Sequence, residues 1–514
     1  MRIIVHNNHE LVAILDEHLI EISFPLENTL GQTLLSLANE FPDLLLIWCH
    51  KEYLRTLNFK NIKEVFRHQR IMASYSVTNS SYIPSQIGYV EDSPFCKVNY
   101  KVSYPTWFMS SDVGGVFASV LKLLPKSHFV EKDFDYFLNS VAKVSMRNGL
   151  FCYSEPNLIN ENTVALTTSA KVSTRTLFKF IKQHYKTQWV LFALCSFILF
   201  EYKFPLLSLI NSFLVRKKES KPFGIESLTI HSSKALSIKS DFDVLIPTIG
   251  RKEYLYDVLM DLAAQTVLPK RVIIIEQNPD IVSTSILDYL NVLDWPFEVV
   301  HKFIHQTGAC HARNIAIAET RSTWIFMADD DIRISKDTLE KVFVFLEKYK
   351  AKVVTLGCLR NEDIEKETNI MQWHSFGSGC SVVSLEAMKS TFFDMGFEHG
   401  FGEDADYGMQ LRNKGYDILY NPFVQLKHLK APIGGFRKPI QRPWDSDGIL
   451  PKPSPTIMLY RQRHTTHFQL KGYKLKLFIN FYNKQHIKNP FGYIKQMRRA
   501  WESSAFWANK LDNQ

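Results

Sequence analysis

Three consecutive aspartates, Asp329, Asp330 and Asp331, follow the apolar run Trp324–Ala328 directly. Such a run is typical of a buried parallel strand, and ligands bind at the carboxyl ends of these strands. Crowded carboxylates repel one another unless a cation lies among them, and hard oxygen ligands suit Mg²⁺ or Mn²⁺. The triplet therefore predicts a divalent cation held together with substrate phosphates, with a solvated acidic loop as the alternative.

Strand and helix patterns alternate around the triplet, which indicates a parallel sheet wound in right-handed βαβ units. The spacing of apolar residues and turn residues predicts each element. The predicted order is a strand at 244–248, a helix at 252–264, a strand at 271–275, a strand near 299–300, a helix within 308–319 and the strand at 324–328.

Five motifs and a later histidine occur here in the order known from one enzyme family. They are Pro247-Thr248, Glu276, Gly308 with Ala312-Arg313-Asn314, Asp329-Asp330-Asp331, Gly402-Glu403-Asp404-Ala405-Asp406-Tyr407, and His428. Residues 241–430 resemble a bacterial-type family 2 glycosyltransferase with the GT-A fold, a Rossmann-like α/β fold, and we assign 241–438 to this domain. Glu276 departs from the pattern, since the family usually has aspartate there.

The resemblance implies a nucleotide-diphospho-sugar donor and a cation, Mn²⁺ or Mg²⁺, that neutralises the departing diphosphate. It implies that Asp329, Asp331 and His428 are metal ligands, although a lone histidine is more often structural. Arg313 suits either a phosphate or Asp329, because a guanidinium fork fits both. The residues implied to bind the donor are Pro247, Thr248, Arg251, Glu276, Arg313 and Asp330.

On the acceptor side, the resemblance implies that Asp404 is the base that deprotonates the attacking hydroxyl. An aspartate where a turn enters a helix is alternatively an N-cap. One base without an enzyme nucleophile implies single displacement, and hence inversion at the anomeric carbon. Glu403 and Trp373 are expected beside the acceptor, where an aromatic ring stacks on a sugar face, and core packing is the alternative for Trp373.

Residues 1–170 resemble a degenerate copy of the same unit, a second GT-A-like α/β domain. The apparent parallels pair 44–50 with 272–277, 71–76 with 326–331, 133–136 with 404–407, and 147–153 with 413–420. In this alignment Ser74 and Ser76 replace the metal aspartates, so this domain is expected to lack the metal motif and to serve acceptor binding, packing or dimerisation. An unrelated α/β domain is the competing interpretation.

The net charge of +9 is concentrated in two segments. Residues 171–221 hold ten Lys/Arg against two acids, and residues 459–514 hold eleven against two, so the rest of the chain sums to −8. Neither segment carries a nucleic-acid-binding motif, and we therefore expect an anionic membrane surface as partner. The first lies in a basic and apolar linker, 171–240, and the second in a Pro-rich loop and basic helical tail, 439–514.

The linker contains the apolar stretch Trp189–Phe200, which is shorter than the roughly 20 residues that a spanning helix needs. It fits a segment at a membrane interface, or a buried helical hairpin between domains. The closing helix places Ile494, Met497, Trp501, Ala505 and Ala508 on one face, which either docks on the body or lies on lipid headgroups.

Seven scattered cysteines without a CxxC pair fit a reducing compartment, and the polar N-terminus predicts no signal peptide. The expectation is a metal-dependent inverting enzyme of hexosyltransferase type, peripheral to the inner face of the cytoplasmic membrane. It would extend a glycan or lipid-linked acceptor in cell-surface polysaccharide synthesis, and a homodimer is compatible with this. The alternative is a non-catalytic glycan- or nucleotide-binding protein built from two GT-A-like domains.

Overall fold

The computed structural model describes residues 1–8, 10–160, 172–218, 223–230, 241–432 and 441–513. The chain divides into two compact units. The first comprises 1–231 with 465–479, and the second comprises 232–464 with 480–514. The segment that the sequence presents as one tail, 439–514, thus contributes residues to both units.

The first unit is built on one seven-stranded sheet with helices along its chain. The strands are β1 (Arg2–His6), β2 (Leu11–Leu15), β3 (Leu45–His50), β4 (Ile71–Tyr75), β5 (Tyr104–Pro105), β6 (Val113–Phe117) and β7 (Phe151–Ser154). The helices are α1 (Leu30–Glu40), α2 (Phe59–Val65), α3 (Ala118–Leu123), α4 (Phe134–Met146), α5 (Thr174–His184), α6 (Gln188–Glu201) and α7 (Leu206–Phe213).

The strand order in this sheet is β2-β1-β3-β6-β4-β7-β5. The pairs β1/β3 and β4/β7 are parallel and the other neighbours are antiparallel. The central strands are buried almost throughout, as expected for strands that are covered on both faces. Asp133 caps α4 by accepting a hydrogen bond from the Tyr136 N–H, which fixes the start of that helix.

The second unit contains a nine-stranded sheet. Its strands are β8 (Phe242–Thr248), β9 (Arg271–Gln277), β10 (Glu298–Ile304), β11 (Trp324–Ala328), β12 (Ile332–Arg333), β13 (Val353–Leu359), β14 (Met371–Gln372), β15 (Cys380–Ser384) and β16 (Leu419–His428). Its helices are α8 (Lys252–Ala263), α9 (Tyr289–Val292), α10 (Ala309–Glu319), α11 (Thr338–Tyr349), α12 (Leu385–Met388), α13 (Glu403–Asn413), α14 (Pro455–His464) and α16 (Pro490–Asp512). Between the last two, α15 (His467–Tyr482) lies mostly in the first unit.

The order of this sheet is β10-β9-β8-β11-β15-β13-β16-β12, with β14 paired to β16. The four strands from β10 to β11 are mutually parallel, which confirms the predicted run of βαβ units. Asp243 near the start of β8 is fully buried, and it accepts hydrogen bonds from Arg271 and the Ser322 hydroxyl. This pair joins β8 to β9 at the end opposite the aspartate triplet, so it has a structural role.

The two sheets share a pattern of neighbours and directions. In the second unit β8 is parallel to β11, β11 and β13 flank β15 antiparallel, and β16 lies parallel to β13 with β14 on its far side. The same relations recur in the first unit. There β1 is parallel to β3, β6 is antiparallel to both β3 and β4, and β7 is parallel to β4 with β5 on its far side. The helices between β15 and β16 also have counterparts, because α3 and α4 lie between β6 and β7 in the chain.

This arrangement corrects the strand parallels drawn from the sequence. By sheet position β3 corresponds to β11, and β4 corresponds to β13. The pairing of 44–50 with 272–277 and of 71–76 with 326–331 is therefore wrong, while the pairing of β7 with β16 agrees with the topology. His50 ends β3 and is followed by Lys51 and Glu52, and these three residues rather than Ser74 and Ser76 occupy the position of the aspartate triplet after β11.

The apolar stretch of the linker forms α6, and α7 follows it after a short turn. In the part of the chain that the structure describes, no helix has the length and apolar character needed to cross a membrane. The last helix, α16, buries Tyr493, Met497, Ala500, Ser504 and Ala508. This face is rotated slightly from the predicted one, and it packs within the second unit against α14.

Candidate active site

Asp330 is the central member of the triplet and is almost fully buried. Its carboxylate accepts hydrogen bonds from the Thr248 hydroxyl, at 2.7 Å, and from the Arg251 guanidinium. Burial raises the pKa of Asp330 to about 6, against the lowering influence of Arg251 and Thr248. The end of β8, where Pro247 precedes Thr248, is thereby joined to the end of β11.

Asp331 points toward the end of β16. One carboxylate oxygen accepts the Ala431 N–H at 2.9 Å, and the other lies 3.4 Å from Nε2 of His428. The Nη1 atom of Arg251 lies 3.3 Å from Oδ2 of Asp331. Burial opposes ionisation, but hydrogen bonds from His428 and Ala431 lower the pKa of Asp331 overall. Asp331 is therefore held as a carboxylate in contact with the predicted late ligand His428, across sheet neighbours β12 and β16.

Asp329 takes a different direction and is bound by Arg313, whose Nη2 lies 3.0 Å from Oδ1. The neighbouring Gly379 leaves room for this carboxylate, because a Cβ there would lie 2.1 Å from Asp329 Oδ2. Among the described residues, no three His, Cys, Asp or Glu side chains are gathered closely enough to hold a metal ion by themselves. The structure brings together Asp331 and His428, but not all three predicted ligands.

Asp404 lies in the first turn of α13, and its Oδ1 is buried without a hydrogen-bond donor among the described residues. Burial raises the pKa of Asp404, while the Arg313 charge and hydrogen bonding from Ser378 oppose that rise. Gly402, not Asp404, is the N-cap of α13. Glu403 precedes it, and burial together with the Asp404 charge raises the pKa of Glu403 to about 7.

Arg313 is the buried cation between these groups. Its charge is associated with Asp329, Asp404 and Glu403, which raise its pKa against the opposing effect of burial, and its guanidinium lies 5.4 Å from the centre of the Phe393 ring. Arg313 belongs to the GACHARN motif and lies on α10. Its guanidinium interacts both with Asp329 after β11 and with the acids at the start of α13.

Glu276 is the penultimate residue of β9, and its carboxylate is hydrogen-bonded by neighbouring donors. Its carboxylate accepts hydrogen bonds from the Ser285 hydroxyl and from the Ile286 N–H at 3.0 Å, and it lies 2.9 Å from Nε2 of His301. Burial opposes ionisation, but His301 and Ser285 lower the pKa of Glu276 overall. The predicted nucleoside-binding residue is thus an ionised carboxylate that organises the 285–286 backbone.

Trp373 stacks on Tyr420 of β16, with ring centres 4.1 Å apart and planes inclined by 17°. Its carbonyl oxygen accepts a hydrogen bond from Arg412, which also binds the Ser375 carbonyl. Tyr420 thereby covers one face of the indole, which remains partly exposed. The third acid of the ED motif, Asp406, is buried and bound to His464 of α14 at 2.6 Å, so it has a structural role.

Glu398 is a neighbouring residue that the sequence did not indicate. Its carboxylate accepts the N–H groups of Cys310 and His311 at the start of α10. A negative group is favoured there by the helix dipole, and Gly308 must lack a side chain, since a Cβ would lie 2.3 Å from Glu398. No motif surrounds Glu398 in the sequence, and only the fold brings it to the helix.

The corresponding edge of the first unit repeats part of this geometry. The His50 N–H donates to the Asp112 carbonyl at 2.8 Å, as the Asp329 N–H does to the Gly379 carbonyl at 3.3 Å. Asp135, in the first turn of α4, accepts both the N–H and the hydroxyl of Ser111. Because Ser111 precedes β6 by two residues as Ser378 precedes β15, Asp135 rather than Asp133 stands in the position of Asp404.

Parts of the chain are similar to parts of three solved structures, at low sequence identity. TarS from S. aureus is 16% identical over 37% of this chain and 37% of that chain, with a TM-score of 0.31. TarS 1–349 in complex with UDP-GlcNAc is 14% identical over 51% of this chain and 72% of that chain, with a TM-score of 0.34. Mannosyltransferase PcManGT from Pyrobaculum calidifontis, in complex with GDP-Man and Mn²⁺, is 14% identical over 55% and 77%, with 0.30.

The matched part is less than the whole of these proteins, since the chain spans 37%, 60% and 61% of three TarS chains. No curated protein matches the chain by sequence. The family model described as glycosyl transferase family 2 matches residues 243–409. That stretch contains Thr248, the aspartate triplet and Asp404, and this part of the chain is therefore a glycosyl transferase family 2 domain.

Proposed function

We propose that the enzyme transfers a sugar from a nucleotide-diphosphate donor to a hydroxyl acceptor by single displacement, with inversion at the anomeric carbon. The observation that carries this is Asp404, whose buried Oδ1 is without a hydrogen-bond donor among the described residues. An acceptor hydroxyl that donates to this oxygen would satisfy it and lose its proton to it in the transition state. Burial raises the pKa of Asp404, and the Arg313 charge opposes that rise by favouring the ionised base.

The donor set of the site fits Mn²⁺ or Mg²⁺, because Asp331 and His428 are adjacent and two side chains suffice when phosphate oxygens complete the coordination. We assign Asp331 and His428 as the protein ligands and retain Asp329 as the third predicted one. When bound, such a cation neutralises the charge that develops on the leaving diphosphate. Asp329 would reach it only by exchanging its contact with Arg313.

The remaining side chains of the edge are assigned to the donor. Pro247, Thr248 and Arg251 form the loop that follows β8, and Asp330 fixes this loop to β11. Glu276 is ionised, and it holds the 285–286 backbone where the nucleoside is expected. Arg313 is released toward the diphosphate if Asp329 turns to the cation, and a guanidinium binds phosphate oxygens well in that role.

The acceptor is assigned to the side of α13 and β14, next to Glu403 and the exposed part of Trp373. With its pKa near 7, Glu403 carries a proton for part of the time at neutral pH and so donates as well as accepts hydrogen bonds. This suits a hydroxyl-rich glycan. We infer a glycan or lipid-linked acceptor of cell-surface polysaccharide synthesis, used at the inner face of the cytoplasmic membrane.

For the first unit, we infer a degenerate GT-A-like copy that takes no part in the chemical step. The shared strand relations and the matching Ser111–Asp135 contact support common ancestry. His50, Lys51 and Glu52 replace the three aspartates, and a cation site of hard oxygen ligands is not favoured by that set. Acceptor binding, packing and dimerisation remain the roles proposed for it.

The first test is hydrolysis of nucleotide-sugars by the full-length enzyme without any acceptor. UDP- and GDP-linked sugars are incubated with Mn²⁺, with Mg²⁺ or with chelator, and the released nucleoside diphosphate is measured. The proposal expects turnover of at least one donor that stops with chelator. Equal turnover with chelator would refute the metal. Nucleotide binding without any turnover, even when a crude glycan acceptor is supplied, would favour the non-catalytic binding protein.

A further inference from the structure

The helices α6 and α7 of the first unit leave two apolar stripes uncovered. On α6 the exposed residues Leu191, Cys195 and Leu199 recur every four positions, and therefore share one face. On α7 and its end, the exposed residues Leu207, Ile210 and Leu214 are three and four positions apart and likewise share a face, with Leu207 76% and Leu214 80% exposed. The turn between the helices adds Tyr202 and Phe204, which are 92% and 62% exposed. We call this set the α6–α7 surface.

Large apolar side chains at this density are unusual on a soluble surface, where they mark contacts with proteins or membranes. The surface holds few charges of its own. Glu201 is the single charged residue of α6, and it is paired with Lys203 at 3.2 Å while accepting a hydrogen bond from the Tyr89 hydroxyl. Covering the stripes with an apolar medium would therefore desolvate few charged groups.

Cations surround the surface. Lys186 before α6, Lys203 in the turn, and Arg216 with Lys217 after α7 are all exposed. Within the same unit, α15 places the Lys471 Nζ 5.5 Å from the Phe200 ring and the Lys476 Nζ 5.7 Å from the Trp189 ring, on a side of α6 other than the exposed stripe. The residues of α15 are more than 250 positions away in the sequence, so only the fold reveals that a helix of the second basic segment contacts α6.

We infer that the α6–α7 surface docks on an anionic lipid bilayer, with the apolar stripes among the acyl chains and the surrounding cations at the headgroups. An apolar face with a rim of Lys and Arg is the composition of interfacial helices, and long basic side chains reach outward to phosphates. The 14 residues of α6 extend only about 21 Å, which is too short to span a bilayer core of about 30 Å. This inference does not depend on the proposed transfer reaction.

A second copy of the chain is the other candidate occupant of an apolar face. Pairing two α6–α7 surfaces would bring Lys186, Lys203, Arg216 and Lys217 of one copy toward the same residues of the other. Like charges across an interface oppose association, whereas each cation near an anionic leaflet contributes about 1 kcal/mol of binding. The charge pattern therefore selects the bilayer.

The test is flotation of the full-length protein with vesicles of phosphatidylcholine alone, or of about three parts phosphatidylcholine to one part phosphatidylglycerol. We expect flotation with the anionic vesicles only. Leu207→Ser with Ile210→Ser should lower the bound fraction at least about tenfold through lost apolar insertion. Arg216→Glu with Lys217→Glu should lower it by a similar factor and reduce its salt dependence.

Matched controls separate the surface from general charge or hydrophobicity. Leu26→Ser with Ile364→Ser removes two apolar residues elsewhere that are at least as exposed as Leu207 and Ile210. Lys60→Glu with Lys63→Glu reverses two exposed lysines of α2. Both control proteins should bind like wild type. Equal binding of wild type to neutral and anionic vesicles, unchanged flotation of the α6–α7 variants, or a wild-type dimer that Leu207→Ser with Ile210→Ser dissociates would each overturn the inference.

Discussion

The two units carry the same strand relations but different chemistry at the corresponding edge. Three aspartates follow β11, and they form ion pairs with Arg251 and Arg313. At the corresponding end of β3 are His50, Lys51 and Glu52, whose net charge is zero when the histidine is uncharged. The scaffold alone therefore does not make a transferase, since the side chains at the ends of its strands decide what it does.

Each unit has an aspartate at the same position of the fold, and the surroundings of the two aspartates differ. Asp404 and Asp135 each lie in the first turn of a helix, beside a serine, and burial raises the pKa of both. Asp404 has Arg313 nearby to favour its charged form, whereas the acids Asp133 and Asp112 near Asp135 add to the effect of burial and raise its pKa to about 7. A carboxylate becomes a useful base here through its cation, rather than through its position alone.

The largest expected effect distinguishes the two triplets. Asp331→Asn keeps an acceptor for the Ala431 N–H but weakens the ligand for the cation, and turnover should fall on the order of 10³-fold or more. Glu52→Gln, its counterpart in the first unit, should keep activity within about twofold. Donor hydrolysis is measured at saturating Mn²⁺, and comparable losses in both variants would contradict the assignment of catalysis to one unit.

Binding stoichiometry extends the same comparison. Calorimetry of the full-length protein with Mn²⁺ and the nucleoside diphosphate of its donor should give one site per chain, which Asp331→Asn removes or weakens strongly. His50→Ala should leave that site intact. A second metal-dependent site that disappears with His50→Ala would mean that the first unit has kept nucleotide binding by other ligands.

The next effect concerns the two first-turn aspartates. Asp404→Asn preserves size and removes the base, so kcat should fall by about 10²–10⁴, with donor binding close to that of wild type. Asp135→Asn should leave kcat unchanged. Steady-state kinetics with acceptor, together with calorimetry of donor binding, decide the point. If Asp404→Asn lowers stability and donor affinity but keeps kcat, Asp404 is a structural residue.

The sequence predicted the second unit well because its motifs sit at strand ends. Each of the strands β8, β9 and β11 is an apolar run closed by a polar residue, and periodicity identifies such elements reliably. The resemblance implied that Asp329, Asp331 and His428 lie near one another, and the structure brings Asp331 and His428 together. The separation of Asp329 from that pair was not expected, since the guanidinium of Arg313 had two acceptable partners and only the packed structure selects between them.

The strands of the first unit were paired wrongly because the alignment compared residue types and could not take the direction of each strand in the sheet into account. The string around Asp133 resembles the ED motif, yet Asp135 makes the equivalent contacts two residues later. The antiparallel and parallel pairings that reveal this connect β3, β6 and β4 across tens of residues. Glu398 was missed for a similar reason, because its partners at the start of α10 are distant in the sequence.

A smaller effect is expected in the pH dependence of turnover. The base must be ionised, so activity falls as the pH drops through the pKa of Asp404, which burial raises above the ordinary range. Arg313→Gln removes the opposing cation and should move this acidic limb to higher pH. Asp135→Asn should not move it. Profiles of kcat against pH test this, and an unmoved limb in Arg313→Gln would show that another group controls it.

The smallest effect is on the stability of the first unit. The pKa of Asp135 is about 7 when folded, against an ordinary value of 3.8, so its stabilising contribution is present below about pH 4 and is lost as the pH rises through 7. Asp135→Asn cannot ionise and should lack this loss, a difference on the order of a few kcal/mol. Hydrogen exchange of α4 amides in the full-length protein, corrected for the intrinsic pH dependence of exchange, should therefore show protection that declines from pH 4 to 7 in wild type but not in the variant. Parallel curves for the two proteins would mean that Asp135 is solvated and that the buried acid is a feature of the catalytic unit alone.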